Sequence, residues 1–512
     1  MATTSVEPAA EPRHRRGKSA TPWSRTRHII VWTSSALVFV LLLGGGYVTY
    51  NYFHFVSSVH KVSGALPAPK KGSAAANDVD GSAQNILLIG SDQRPAGMTA
   101  QQYSELSTTP DGGGINTDTM ILLHIPADGS SATMVSFPRD AYVSIPGYGK
   151  NKINAAYADG YLSSSGSEEQ KDAAGVRVLA STIETLTGLK IDHYVKVSLL
   201  SFYNIVNALG PVKVCLKNPV NDHFSGAHFP AGPQELNATQ ALQFVRQRHG
   251  LPNGDFDRAV RQQYFLSVEA QQVLSAGTLL NPVKLNNVLG TIGTSLETDS
   301  GLDMLSLAKQ LQHLRGTNIR SATIPLANPS TGMQEIDGQD LSVDFINYDA
   351  LPDFIDGITG QPTTAQRVAK ATAAAPSSVT VDVLNGAGTA HGSSTAAATL
   401  AAAGFHPGAP ADAPETQRTT TIYVPAGDEA QAKALLPFLP KAALASTTEY
   451  KQLTVVLGTD GIMPTSPAQA TAPTSPSAPT TAGTPKPTST PKSSTPTPTA
   501  STNAYNAATC IN

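Results

Sequence analysis

Three apolar runs of strand length follow one another closely in this chain: NILLIG at 85–90, MILLHI at 120–125 and ATMVSF at 132–137, separated by turns rich in Gly and Asp. A strand with one wet face alternates apolar and polar residues. These runs do not alternate, so each needs cover on both faces, and together they predict the centre of a buried sheet. Residues 168–189, 198–210, 237–249, 255–274 and 303–315 have the composition and length of covering helices. HYVKV at 193–197, PVKVCL at 211–216 and ATIPL at 322–326 return as strands, and DFINYDALPDFIDGI at 344–358 reads as a last helix. Strands and helices alternate, so residues 84–358 are expected to form an α/β domain, a sandwich around a largely covered sheet.

A second constraint precedes that domain. Residues 29–50, IIVWTSSALVFVLLLGGGYVTY, are uncharged and mostly apolar, and about 22 residues of helix rise roughly 33 Å, which matches the hydrocarbon core of a bilayer. Arg13, Arg15, Arg16, Lys18, Arg25 and Arg27 come before this run, whereas residues 51–60 carry no Lys or Arg. The positive-inside bias therefore puts a basic tail, 1–28, in the cytoplasm, a single-pass helix, 29–50, across the cell membrane, and the rest of the chain outside. A cleaved signal peptide is the alternative, with small residues at 63–68, but the apolar run is longer than a usual signal core. Residues 51–83 read as a stalk.

Beyond the first domain, residues 359–377 read as a linker and 378–461 as a smaller α/β domain built from VTVDVLNG, a Gly/Ala-rich helix, TTTIYVP, DEAQAKALLPFL and LTVVLGTDG. The Pro/Thr/Ser-rich residues 462–512 have almost no apolar side chains and are expected to be disordered. Cys215 and Cys510 are too few for a disulfide scaffold or a cysteine metal site; one bridge and two free thiols both fit the sequence. The formal net charge of -3 argues against a nucleic-acid binder acting through bulk electrostatics. Ser306 and Lys309 match an SxxK pattern without its companion motifs, and NGAGTAHGSS has His391 where a dinucleotide fingerprint needs Gly, so neither motif carries a function.

Charge is nonetheless concentrated locally. The stretch FVRQRHGLPNGDFDRAVRQQ, 244–263, brings Arg246, Arg248, Arg258 and Arg261 together with Asp255, Asp257 and Gln262 on two helical ends around a Gly/Pro/Asn loop. Asn237 is a fitting N-cap for the first helix and Asp255 for the second. Arginine forks beside a helix N-terminus favour phosphate oxygens. Elsewhere, NILLIG runs into GSDQR, which sets Asp92 and Arg94 just past a strand end, and INTDTM sets Asp118 at the start of the next strand. If those strands are antiparallel neighbours the two carboxylates meet, and such a pair suits a hard divalent ion with open positions for phosphate oxygens and water. FPRDAYVSIPG adds Arg139 and Asp140 near the same edge, and GKNKINAAYADG adds Lys152 and Asn154. Acid, amide and guanidinium groups from several loops thus converge on one edge.

In order, GSDQR, NTDTM, SFPRDAYVSIPG, KINAAYADG, ETLTGLKIDHYV and FVRQRHGLPNGDFDRAVRQQ resemble the motifs of the LytR-CpsA-Psr proteins over about residues 84–275, and 378–460 looks like the LytR C-terminal domain of actinobacterial members. The resemblance implies an α-β-α sandwich around a mixed sheet, with an apolar cavity for a polyprenyl tail. It implies a phosphotransferase that moves a glycan phosphate, such as teichoic acid or capsule, from a polyprenyl-pyrophosphate donor onto a peptidoglycan acceptor, using Mg²⁺ or Mn²⁺. By the same resemblance Asp92 and Asp118 hold the metal. Arg94, Arg139, Arg246, Arg248 and Arg258 then line the pyrophosphate site, with Asp255 and Gln262 beside it, while Lys152 and Arg261 are counted as substrate-binding. A non-catalytic lipid or wall-polymer anchor would need the arginines and cavity but not paired carboxylates, and a simple pyrophosphatase would use the same site with water. Asp118 and Asp255 both remain candidates for the general base. The chain departs from the family pattern at Asn116, where an arginine is usual, and at Gly210-Pro211-Val212.

Overall fold

The three apolar runs are indeed the middle of a sheet. In this computed structural model, Gln84–Ser91, Thr117–Ile125 and Ala132–Phe137 are adjacent strands of an eight-stranded mixed sheet. Its order is His60–Val62, Glu297–Asp299, His193–Ser198, Gln84–Ser91, Thr117–Ile125, Ala132–Phe137, Ile319–Thr323, Asn503–Ala504. The structure describes residues 50, 53, 55–67, 82–94, 98–106, 108–109, 114–273, 275, 277, 281–311, 314–465, 503–505 and 508–512. The basic tail at 1–28 and, except for Tyr50, the expected membrane helix at 29–50 lie outside the described residues.

Both faces of the sheet are covered, for the reason the runs are apolar throughout. Leu87, Ile89, Met120 and Leu122 point to a core shared with Val176, Leu179 and Ile183 of the Glu168–Thr187 helix and with Leu351 and Phe354 of the Leu351–Thr359 helix. Ile86, Ile121 and Ile125 point the other way, toward Leu307, Leu314 and the Leu266 and Ala270 side chains of the Asp255–Val273 helix. Alternation survives as a choice between two dry layers. A second core forms around Val212–Leu216, Ala238–Arg246 and the Tyr264 and Phe265 faces of the long helix.

The structure differs from the sequence reading at four places. His60–Val62, inside the expected stalk, is an edge strand parallel to Glu297–Asp299, with Val62 buried. Residues 344–358 are not one helix: Leu326–Ile336 and Gln339–Ile346 form a hairpin, and the helix begins only at Leu351, with a proline in its first turn. A proline fits a first turn, where its missing N–H would have no helical partner in any case. Within the expected linker, Thr364–Lys370 is a helix with a capping box that buries Val368 in the core of the C-terminal α/β domain. Finally, the end of the expected disordered tail is ordered: Asn503–Ala504 and Cys510–Ile511 pair with Ile319–Thr323 and Val212–Leu216, Tyr505 and Ile511 are buried, and Cys215 is bonded to Cys510.

Residues 378–461 carry a sheet of Thr380–Asn385, Thr421–Pro425, Ala443–Thr447 and Thr454–Leu457, with His406–Pro407 and Ala411–Asp412 as two short accessory strands beside Thr380–Asn385, covered by the Gly392–Ala402 and Glu429–Leu435 helices. They belong with the larger domain to one compact unit, 59–512, in which Tyr423 Oη donates to Asp349 Oδ2 at 2.5 Å.

Candidate active site

Gln84–Ser91 and Thr117–Ile125 run antiparallel, and their register slips by one residue where the strands leave the sheet: Gly90 faces Thr119, but Ser91 faces Thr117. The extra residue is Asp118. A β-bulge re-aims the side chain it carries, and here it turns a carboxylate toward the same sheet end that Asp92 reaches from the neighbouring strand. Gly90 permits the close approach, because a Cβ there would lie 2.8 Å from the Cβ of Thr119.

The next strand supplies the cation. Just past Phe137, Arg139 donates through Nη1 to Asp118 Oδ1 at 2.9 Å and through Nε to Asp140 Oδ2 at 3.4 Å. Burial works against the Arg139 charge, but Asp118, Asp140 and Asp255 outweigh it and hold its pKa above the ordinary value. Lys152 Nζ completes a chain behind Arg139 by pairing with Asp140 Oδ1 at 2.8 Å. On the first strand, Arg94 lies 3.6 Å from Asp92.

From the opposite side come the two helices of the arginine stretch. Asn237 caps Ala238–Arg246 through a capping box with Gln240, and the helix ends by placing Arg246 in its last turn, where Nη1 donates to Leu106 O at 3.0 Å. The Asp255–Val273 helix starts at Asp255, whose Oδ1 takes Arg248 at 3.1 Å and Arg258 at 2.7 Å instead of capping its own helix. Burial lowers the pKa of Arg246, opposed by Asp92 and Asp118, and that of Arg258, opposed by Asp255 and Asp118. Arginine stays charged through such shifts, so these guanidiniums remain cations.

Six of these groups share one cavity of about 610 Å³. Asp92, Asp118, Arg139, Arg246, Arg248 and Arg258 line one part of it; Leu88, Ile121, Val195, Phe202, Leu209 and Ile292 are among the apolar residues lining the rest. Phe224, 65% exposed, stands at the charged part between His223 and His249, with ring centroids 4.0 and 4.1 Å away. A cationic mouth that opens into an apolar chamber fits an amphiphile with an anionic head.

The LytR_cpsA_psr family model matches residues 49–366, well over half of the chain. The chain belongs to that family. A second model, described as the LytR cell envelope-related transcriptional attenuator, matches residues 378–460 of this LytR-CpsA-Psr protein. Corynebacterium glutamicum "Cell wall biosynthesis protein LcpA" is 40% identical over 59% of this chain and 60% of that protein; its "Probable cell wall biosynthesis protein LcpB" is 36% identical over 48% and 55%. The match thus spans little more than half the length of these two relatives. Bacillus anthracis "Polyisoprenyl-teichoic acid--peptidoglycan teichoic acid transferase TagU" is 31% identical over 54% of this chain and 82% of that protein. Bacillus subtilis TagV superposes at a TM-score of 0.41 with 21% identity over 55% of this chain and 99% of that one, too loosely to carry detail.

Within this LytR-CpsA-Psr domain the sequence-derived residues fall into two groups. Asp92, Asp118, Arg139, Arg246, Arg248, Arg258 and Gln262 line the cavity together. Arg94, Lys152 and Asp255 do not line it; they are bound to Asp92, to Asp140 and to Arg248 and Arg258. Arg261 does not line the cavity and is 1% exposed: it stacks on Phe244, donates to Gln247, and gives Nε to the backbone oxygen of Asn512 at 2.8 Å. Asp222, Phe224 and Glu269 were not singled out from sequence and do line the cavity. Glu269 left a trace: it is an acid on the helix face that Arg258, Gln262 and Phe265 share.

Proposed function

We propose that this protein is a membrane-anchored phosphotransferase that moves a glycan phosphate from a polyprenyl-pyrophosphate donor onto a hydroxyl of peptidoglycan. The carrying observation is one cavity lined at one part by four arginines with Asp92, Asp118 and Asp222 and mostly by apolar side chains elsewhere. The names of LcpA and TagU support the reading, since one is a cell wall biosynthesis protein and the other a teichoic acid transferase.

In this mechanism Arg246, Arg248 and Arg258 bind the pyrophosphate and neutralise charge growing on the leaving polyprenyl phosphate. Arg139 orients Asp118 and adds a further donor. The apolar wall excludes water and seats the lipid. Asp92 and Asp118 are the carboxylates of the mouth placed to take the proton of an attacking sugar hydroxyl, whereas Asp255 is engaged by its two arginines behind the wall.

Among the described residues no group of three or more His, Cys, Asp or Glu side chains is arranged to hold a metal. Two carboxylates beside a phosphate site suit Mg²⁺, or Mn²⁺, which is commonly held by one or two carboxylates with waters and substrate phosphate completing its shell. Asp92 and Asp118 would hold it, and it would supply charge neutralisation on the phosphate oxygens. The anchor is the apolar run at 29–50, with the catalytic domain outside the cell.

The test uses the full chain in detergent with a polyprenyl-pyrophosphate oligosaccharide, Mg²⁺ and peptidoglycan oligomers. Acceptor-linked glycan that needs both Mg²⁺ and Asp92 is expected. Polyprenyl phosphate released without acceptor-linked product would make the protein a hydrolase, and lipid binding without turnover, indifferent to Asp92→Ala, would leave only an anchor.

A further inference from the structure

The cavity-lining face of the Asp255–Val273 helix changes character along its length. Arg258, Gln262, Phe265, Leu266, Glu269 and Val273 recur at three- and four-residue spacing and all line the cavity, so the face runs from charge to apolar surface and then meets a carboxyl. Glu269 lies about three turns beyond Arg258, roughly 16 Å along the helix axis. One turn on, Gln272 Nε2 donates to Leu209 O at 3.1 Å, tying this end of the helix to the end of the Leu199–Leu209 helix, whose Leu209 also lines the cavity. Leu296 and Ile292 line it as well.

Glu269 is 8% exposed, and among the described residues its Oε1 has no hydrogen-bond partner. Burial alone pushes its carboxyl up to about 8, with no neighbouring charge contributing. On the elements that wall the cavity, His124, Lys196, Tyr203, Lys284 and Glu297 stay off its surface; the other charged lining groups are the carboxylates and arginines of the mouth, with Asp222 and His249 beside them. An unpaired carboxyl in an apolar chamber is a poor contribution to stability. Nothing in the mechanism above uses it.

An apolar chain that reaches this depth removes the remaining water from Glu269 and offers it no hydrogen bond. A neutral acid tolerates that loss far better than a carboxylate does. We propose that Glu269 is a specificity-determining residue of the apolar chamber, which admits a long apolar chain only with a proton on its carboxyl. The inference rests on the chamber being the seat of a lipid tail. It makes tail binding proton-linked and confines that linkage to chains long enough to arrive at Glu269.

The experiment measures binding of geranylgeranyl phosphate, geranyl phosphate and the neutral fluorophore N-phenyl-1-naphthylamine to the full chain in detergent. Wild type is compared with Glu269→Gln and, as a second neutral variant, Glu269→Leu. For wild type, affinity for geranylgeranyl phosphate should fall roughly thirtyfold between about pH 7 and about pH 9.5, the result of one proton lost from a group titrating near 8. The profile should be flat in both variants, and flat for the short geranyl chain in every protein. The same fall in wild type and variants, or an equal fall for the geranyl chain, overturns the proposal. If neither phosphate binds at any pH, the donor site fails; the fluorophore then decides Glu269, upheld by a fall seen only in wild type and overturned by a flat wild-type profile.

Discussion

Asp118 accepts a hydrogen bond from Arg139 at 2.9 Å because one extra residue in its strand turns the carboxylate to the sheet end where Arg139 emerges. The pair joins the acid and base sides of the mouth. Asp118→Asn keeps the shape and removes the charge, and Arg139→Lys keeps the charge and removes the fork. Each should lower glycan transfer about 10²–10³-fold, the scale of a lost transition-state donor, with little change in melting temperature. Release of polyprenyl phosphate, followed beside thermal melts, checks both halves of that statement.

Gly90 is the other side of the same bulge. A methyl group there meets the Cβ of Thr119 at 2.8 Å, which backbone on both strands must absorb. Gly90→Ala is expected to destabilise by about 1–3 kcal/mol and to reduce transfer as the bulge shifts. Combining it with Thr119→Gly removes the clashing atom, so a double-mutant cycle in urea should show strong coupling; additive effects would mean the strands relax elsewhere.

The centre of the sheet and the meeting of Asp92 with Asp118 were legible because each rests on local signals: runs apolar on both faces, and chemistry placed just beyond strand ends. Pairings between distant segments were not. His60–Val62 is three residues of no distinctive pattern, made a strand only by Glu297–Asp299 beside it. The hairpin of Leu326–Ile336 with Gln339–Ile346 had a readable sign, the Asp337-Gly338 pair at its turn, where both residues take positive φ of 51° and 76°. Apolar residues after 343 outweighed it and suggested a helix. Arg258 and Arg261 share a helix three residues apart, and only packing decides that one faces the cavity while the other is buried on Phe244. Composition hid the last residues of the chain, where a few side chains dock although most of the preceding segment is Pro, Thr, Ser and Ala.

That docking is expected to matter for stability and for the site. Cys510→Ser, or reduction, should lower stability by about 2–5 kcal/mol, read as a drop in melting temperature in reductant. Asn512 holds Arg261, and Arg261 holds Gln247, the residue between Arg246 and Arg248. Transfer should therefore fall along with stability, and Arg261→Met should reproduce part of the loss with the disulfide intact.

Glu269 gives a pH signature in the folded protein without any ligand. Its carboxyl rises from an ordinary 4.5 to about 8 on folding, so between those values the native state keeps a proton that the unfolded chain has released. Its contribution is fully present below about 4.5 and is lost as pH rises toward 8. Glu269→Gln should match wild type in urea melts at acid pH and exceed it near pH 8 by on the order of 4 kcal/mol. Equal stability at both ends would show that water already satisfies the carboxyl.

The Cys215–Cys510 bond also turns much of the protein into a covalent ring that contains the second half of the LytR-CpsA-Psr domain and the whole C-terminal domain. A protease that cuts the chain once inside that ring opens it without freeing anything. Both fragments stay joined until the sulfurs are reduced, so on a gel a nicked molecule keeps its full mass without reductant and splits in two with it.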